Sequence, residues 1–214
     1  MSEKHKPPFT GFTGPDVAAL SKSAVTRTYP KNTIILNEGD ETDSLYVILS
    51  GRVKVFVANE EGREIVLDVQ GPGEYFGEMV LDEGPRSASV MTLEPCRLQL
   101  IPKEDIKALL QSHPDFAMHL VRKLIGRART LTEHVKSLAL ENVYSRFTRL
   151  LHELATNEDG RLVVQEKLSQ QELANRIGAS REMVNRIVKE LTTGGYISVT
   201  GSRIEILKQL PANW

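Results

Sequence analysis

Short runs of β-branched and aromatic residues recur through the first hundred positions, separated by glycines. Thr33–Leu36, Leu45–Leu49, Arg52–Ala58 and Glu64–Val69 are the runs, and Gly39, Gly51, Gly62, Gly73 and Gly84 follow one another at steps of 11 or 12 residues. Val53, Val55 and Val57 alternate with Lys54 and Phe56, a period of two that reads as a strand. Ser87–Leu93 and Arg97–Ile101 read as two further strands. Short strands at this interval, turned by glycine, predict a β-roll.

The period then becomes helical. A short helix is predicted from Pro102 to just before Pro114, which suits the first position of a second helix. In that helix Ala117, Val121, Leu124, Ala128, Leu131, Val135 and Leu138 are spaced 4, 3, 4, 3, 4, 3, an a/d seam about 33 Å long at 1.5 Å per residue. Such a seam needs a facing helix. Its alternatives are a second copy of the chain or the barrel of its own chain. Gly126 falls at the outward f position and Thr132 at an e position. Leu140, Val143, Phe147, Leu150, Leu151 and Leu154 predict a third amphipathic helix, and the polar stretch 156–161 reads as the loop that ends it. These shifts divide the chain into a β-roll over 1–113, a dimerisation helix over 114–140 and a third segment over 141–214. The fold class is α+β.

The third segment carries a nucleic-acid-reading pattern. Ser169 with Glu172 three residues on is a capping box. Gly178 suits a left-handed turn, and Ser180 can cap the helix that follows. Leu173, Ala174 and Ile177 give the first helix its apolar side; Val184, Ile187, Val188 and Leu191 give the second its own. Arg181, Asn185 and Lys189 share the outer face of the second helix, flanked by Glu182 and Arg186. The last run, from Gly194 to Leu207, reads as two strands joined by Gly201-Ser202, so the unit is a winged helix-turn-helix. An arginine fork can bond guanine O6 and N7, and a glutamate can accept from cytosine N4. Ser169, Gln170 and Ser180 sit at helix starts, where phosphates are held.

Residues 73–90 hold a second constellation. Gly77-Glu78 opens a one-turn helix, and Arg86-Ser87-Ala88 leads into the next strand. Backbone N–H groups with an arginine make a phosphate cradle, and a carboxylate beside it accepts from a sugar hydroxyl; a surface Glu–Arg pair is the alternative.

Composition narrows the options. With 40% hydrophobic and 26% charged residues the chain is an ordinary globular one. No apolar run reaches the ~18 residues of a membrane span. The opening residues have no apolar signal core, which fits a cytoplasmic protein. Net charge is −1, and from Glu141 onward 10 Lys/Arg stand against 9 Asp/Glu. A positive field must therefore be local, around Arg176, Arg181, Arg186 and Lys189. One cysteine, Cys96, beside Leu98 and Leu100 on one strand face, reads as a core thiol and excludes a multi-cysteine zinc or iron–sulfur site within one chain. The five histidines show no ligand spacing, so neither metal nor haem is expected. No nucleophile elbow, metal pair or P-loop lysine points to an enzyme. A pure interaction module with a vestigial helix-turn-helix is the other alternative, opposed by Arg181 and Arg186.

Phe76–Leu81 with Arg86-Ser87-Ala88, and Ser180–Arg186, resemble respectively the phosphate-binding cassette and the recognition helix of the cyclic-AMP receptor protein and fumarate–nitrate regulator superfamily of bacterial transcription regulators. The likeness runs from about Phe9 to Leu207 and is strongest to the cyclic-AMP receptor branch. It implies that Glu78 bonds the ribose and that Arg86 and Ser87 hold the cyclic phosphate. Gly77 and Met79 would line the pocket, with Leu67 against the base. Two adjacent hydroxyl residues of the dimer helix would contact adenine. Their positions here are Leu131 and Thr132, of which only Thr132 matches. Asp68 stands where a small hydroxyl residue is expected, and the connection from Glu78 to Arg86 is short. Arg181, Glu182 and Arg186 match the three base-reading residues. The implied function is a homodimeric regulator, controlled by cyclic AMP or a related cyclic nucleotide or by another effector or none, that binds a DNA palindrome and works with RNA polymerase.

Overall fold

The computed structural model describes Asp16 and residues 21–82 and 84–211. The opening residues, where the absence of a signal and the start of the family likeness were read, lie outside the described residues. The chain divides into two compact units. The first holds the described residues up to Val57 together with Asp68–Thr130; the second holds Ala58–Leu67 and the chain from Leu131 onward.

Eight strands build the roll: β1 Val25–Tyr29, β2 Ile34–Leu36, β3 Ser44–Ser50, β4 Val53–Ala58, β5 Glu64–Gln70, β6 Tyr75–Phe76, β7 Ser89–Thr92 and β8 Cys96–Pro102. They form two four-stranded sheets, ordered β1-β8-β3-β6 and β2-β7-β4-β5. The unbroken apolar run of β3 is explained by burial on both faces. Its period of two sends Leu45 and Val47 to a cluster with Tyr75, Ile101 and Phe116. It sends Tyr46 and Ile48 to another with Leu36, Phe76 and Leu98. Cys96, 1% exposed, belongs to that second cluster, as a core thiol should. In β4 both Lys54 and Phe56 are buried. The reason is local: the Lys54 ammonium lies 4.3 Å from the centre of the Phe56 ring, so stem and ring cover each other.

Helix α1 spans Lys103–Ser112 and α2 spans Pro114–Leu140. Phe116 and Leu120 of α2 are buried in the roll's core beside Ile106 and Leu109 of α1. The a/d residues lie elsewhere on the helix: Val121, Leu124, Leu131, Val135 and Leu138 are between 42% and 66% exposed. Within the first unit, the barrel therefore leaves Val121 and Leu124 of the seam uncovered.

Helix α3, Val143–Leu154, is capped by Asn142, whose side chain accepts from the Ser145 N–H. Its buried side is Tyr144, Arg146, Phe147 and Leu151; Leu140, expected there, is 77% exposed because it ends α2 instead. The polar stretch after it is not a loop but a hairpin. Strands β9 Ala155–Glu158 and β10 Arg161–Val164 pair antiparallel across Asp159-Gly160, both at positive φ. Helices α4, Gln170–Ile177, and α5, Arg181–Thr193, follow, then β11 Ile197–Thr200 and β12 Arg203–Ile206. These last strands join the hairpin in one sheet, ordered β11-β12-β10-β9.

Candidate functional site

Within the roll, Gly77 ends β6 with φ 84° and caps a 3-10 turn over Glu78–Leu81. This left-handed backbone favours glycine, and a Cβ there would also crowd the Ser44 carbonyl at 3.2 Å. Arg86, 4% exposed, crosses this gap. Its Nε donates to Thr42 Oγ1 at 2.7 Å, its Nη1 to the Gly77 carbonyl at 2.7 Å, and its Nη2 to the carbonyls of Thr42 and Ser44, both at 3.1 Å. Nη2 also donates to Thr42 Oγ1. Among the described residues every acceptor that Arg86 bonds is neutral, and the Asp43 carboxylate favours its charge only through space. Burial pushes the guanidinium below its ordinary range.

Glu78 is 6% exposed. One carboxylate oxygen pairs with Arg127 of α2; the other, Oε2, is buried with no hydrogen-bond partner among the described residues. Lys123, one turn earlier on α2, donates to the Tyr75 carbonyl and stands 3.4 Å from the centre of the Tyr75 ring. Burial pulls its ammonium down to about 8, against the opposing pull of Glu74 and Asp68. A buried arginine bonded only to neutral acceptors and a half-satisfied buried carboxylate, joined through Gly77, suit a ligand that carries an anion and a hydroxyl. Gly77, Glu78 and Arg86 are thus brought together. Met79 is partly buried, and Ser87 is exposed beside Arg86. Leu67 lies partly exposed in β5, and Leu131 and Thr132 are exposed on α2; all three belong to the second unit. Sequence reasoning missed Thr42, Lys123 and Arg127. The signal available for the last two was a pair of cations one turn apart, continuing the helix row of Phe116 and Leu120 beside the seam.

In the second unit the caps form as read. Ser169 Oγ accepts from the Glu172 N–H at 3.2 Å while Glu172 accepts from the Ser169 N–H at 2.7 Å. Ser180 Oγ accepts from the Met183 N–H at 3.2 Å. Gly178, φ 61°, closes α4. Arg181, Glu182, Asn185, Arg186 and Lys189 are all exposed on α5, and Gln170 donates to Asn185 at 3.2 Å, tying the two helices together. A groove of about 390 Å³ runs between Ser169 and Gln170 at the start of α4 and Gly201 and Ser202 at the tip of the β11–β12 wing. Arg176 departs from expectation. It is held by both oxygens of Glu166, at 2.7 and 3.1 Å, and its side chain is 11% exposed, so its charge is cancelled and it adds nothing to the field of this face.

Among the described residues no helix is long and apolar enough to cross a membrane, and no group of three or more His, Cys, Asp and Glu is placed to hold a metal ion. Residues 26–113 match the family model of the cyclic nucleotide-binding domain, and residues 145–209 match that of the Crp-like helix-turn-helix domain. The chain is 32% identical over 203 residues to a CRP-like cAMP-activated global transcriptional regulator of Mycobacterium tuberculosis, covering 92% of this chain and 91% of that one. It is 34% identical over 186 residues to the cAMP-activated global transcriptional regulator CRP of Pasteurella multocida, covering 83% and 88%. Among solved structures, the c-di-GMP responsive global regulator CLP of Xanthomonas campestris superposes with a TM-score of 0.79 at 30% identity, covering 92% of this chain and 99% of that one.

Proposed function

Because the chain belongs to the CRP/FNR superfamily of transcriptional regulators, we propose that its roll binds a cyclic nucleotide, cyclic AMP first among them, and that the bound form is a cytoplasmic homodimer that grips a DNA palindrome and works with RNA polymerase. The observation that carries the ligand reading is the buried Arg86 with neutral acceptors only, next to the orphaned oxygen of Glu78. Arg86 and Ser87 take the cyclic phosphate and Glu78 a ribose hydroxyl. Gly77 and Met79 line the pocket, Leu67 meets the base, and Thr132 with Leu131 meets its far edge. Cyclic di-GMP is the second candidate, supported by the extra cations Lys123 and Arg127. Calorimetric titration with cyclic AMP, cyclic GMP and cyclic di-GMP tests both. Arg86→Leu is expected to weaken binding by about 100-fold, the worth of two charge-assisted hydrogen bonds. Arg52→Leu, a change at a half-exposed surface pair with Glu94, should leave it within about twofold. Equal affinity of wild type and Arg86→Leu would overturn the assignment.

On the DNA side, Arg181, Glu182 and Arg186 read base edges of a half-site like TGTGA. Ser169, Gln170, Ser180 and Lys189 hold phosphates. Arg181→Ala is expected to cost about 1–3 kcal/mol and to relax preference at one guanine. Lys189→Ala should weaken all sequences alike and flatten the salt dependence by about one unit. Fluorescence anisotropy on a labelled palindrome and its single-base variants separates the two patterns. The same titration, with and without cyclic nucleotide, reads whether the ligand raises DNA affinity. That requires tighter ligand binding to the DNA-competent state.

A further inference from the structure

The guanidinium of Arg86 offers two edges to a phosphate, the side-on edge of Nε and Nη2 and the end-on edge of the two Nη atoms. Both are occupied. The end-on edge is filled by the main-chain carbonyls of Gly77, Ser44 and Thr42. The side-on edge converges on one atom, the Thr42 hydroxyl oxygen, which accepts from Nε at 2.7 Å and from Nη2 as well. A single oxygen that takes both hydrogens of the fork stands where a phosphate oxygen would stand.

The occupants differ in what it takes to move them. The carbonyls belong to chain segments fixed by backbone pairing: the Gly77 carbonyl also accepts from Val80 N–H at 3.0 Å, Ser44 pairs with Pro102 in the β3–β8 ladder, and the Asp43 carbonyl between Thr42 and Ser44 accepts from Lys103 N–H at 2.8 Å. Shifting them means shifting the loop. The Thr42 hydroxyl leaves by one rotation about χ1 while the loop stays in place. We propose that the Thr42 hydroxyl is a latch on Arg86: in the ligand-free protein it holds the side-on edge of the guanidinium, and the phosphate of the nucleotide replaces it there. Thr42 is thus a positioning residue that sets ligand affinity by competing for the arginine. The inference rests on the reading of Arg86 as the phosphate ligand.

The latch has a signature that damage to the site does not share: removing it tightens binding. In Thr42→Val the shape is kept and the acceptor is lost. The two N–H groups of the buried cation are unpaired until a phosphate arrives, so the ligand-free state is raised and the bound state is not. Thr42→Val is expected to bind cyclic AMP about tenfold more tightly than wild type, and its ligand-free form to melt at a lower temperature, with the gap closing at saturating ligand. Thr42→Ser, which keeps the hydroxyl, should match wild type in both. Thr42→Ala gives the same comparison without a methyl group against the guanidinium. Unchanged or weaker binding in Thr42→Val and Thr42→Ala, with wild-type binding still dependent on Arg86, overturns the latch alone. Wild-type binding indifferent to Arg86→Leu overturns the phosphate assignment and with it the exchange. Ligand-free melting that is the same in Thr42→Val and Thr42→Ser overturns the contact itself.

Discussion

If the proposed homodimer forms through α2, a chain carrying both Leu124→Glu and Leu131→Glu is expected to sediment as a monomer where the wild type sediments as a dimer, and to lose more than about 100-fold in affinity for a two-half-site palindrome. The helix face that carries these residues has nothing else to do. Phe116 and Leu120 bury the other face in the roll. Leu124 and Leu131, each 44% exposed, are left on the outside with Val121, Val135 and Leu138. Contiguous apolar surface of that kind marks an interaction site. The strict 4, 3 spacing suits the same helix from a second copy, related by a two-fold axis. Two glutamates at d positions then meet their own images across the axis, and two buried like-charge pairs outweigh what the remaining seam supplies. The DNA loss follows because half-sites about 34 Å apart are held together only by linked reading heads. Unchanged melting of the roll would show that the mutant chain is folded. A double mutant that still sediments as a dimer would put the interface elsewhere.

What could be read from the sequence was local. The caps of Ser169 and Ser180, the turn at Gly178 and the apolar sides of α4 and α5 depend on residues within four positions of one another. Each appears as expected. The a/d spacing of α2 was equally legible, although whether the roll covers that face needed the structure. The failures were of two kinds. The hairpin β9–β10 was hidden because Thr156–Asp159 is polar; its pairing is with Arg161–Val164, whose inward residues Val163 and Val164 are buried in the winged unit. The ion pairs were hidden because charge partners are set by the fold. Arg176 looked like part of a basic face until Glu166, ten positions back, took both ends of its fork. Arg127 and Glu78 are 49 positions apart, and Thr42 and Arg86 are 44 apart. No periodicity joins residues at such separations. The cradle could be recognised by its motif, but not which groups Arg86 bonds within it.

The junction between α2 and the winged unit holds the second large effect. Arg146 on α3 is 8% exposed, and no carboxylate pairs with it among the described residues. Instead its Nε donates to the Ile177 carbonyl at 2.8 Å and its Nη1 to the Glu141 carbonyl at 2.6 Å. Those carbonyls lie at the C-terminal end of α4 and just beyond that of α2, the negative poles of two helices. One guanidinium therefore satisfies orphaned acceptors of both helices and places a cation where both dipoles favour it. The neighbourhood is tight as well. A Cβ at Gly178 would stand 2.7 Å from Leu138 Cδ2, so the end of the seam helix touches the turn between α4 and α5. Ser137, Glu141 and Arg149 close a hydrogen-bonded ring beside it. Arg146→Leu removes the guanidinium donor from the buried Ile177 carbonyl and the part-buried Glu141 carbonyl and is expected to destabilise the winged unit by about 2–4 kcal/mol in urea unfolding. Arg146→Lys should recover only part of this, because a single ammonium cannot span two carbonyls as the planar fork does. Native-state hydrogen exchange locates the loss: protection should fall in α4 and at the end of α2 while the strands of the roll keep theirs. A loss below about 1 kcal/mol for Arg146→Leu would mean that water replaces the arginine at both helix ends, and that the junction is held by the Leu138–Gly178 contact instead.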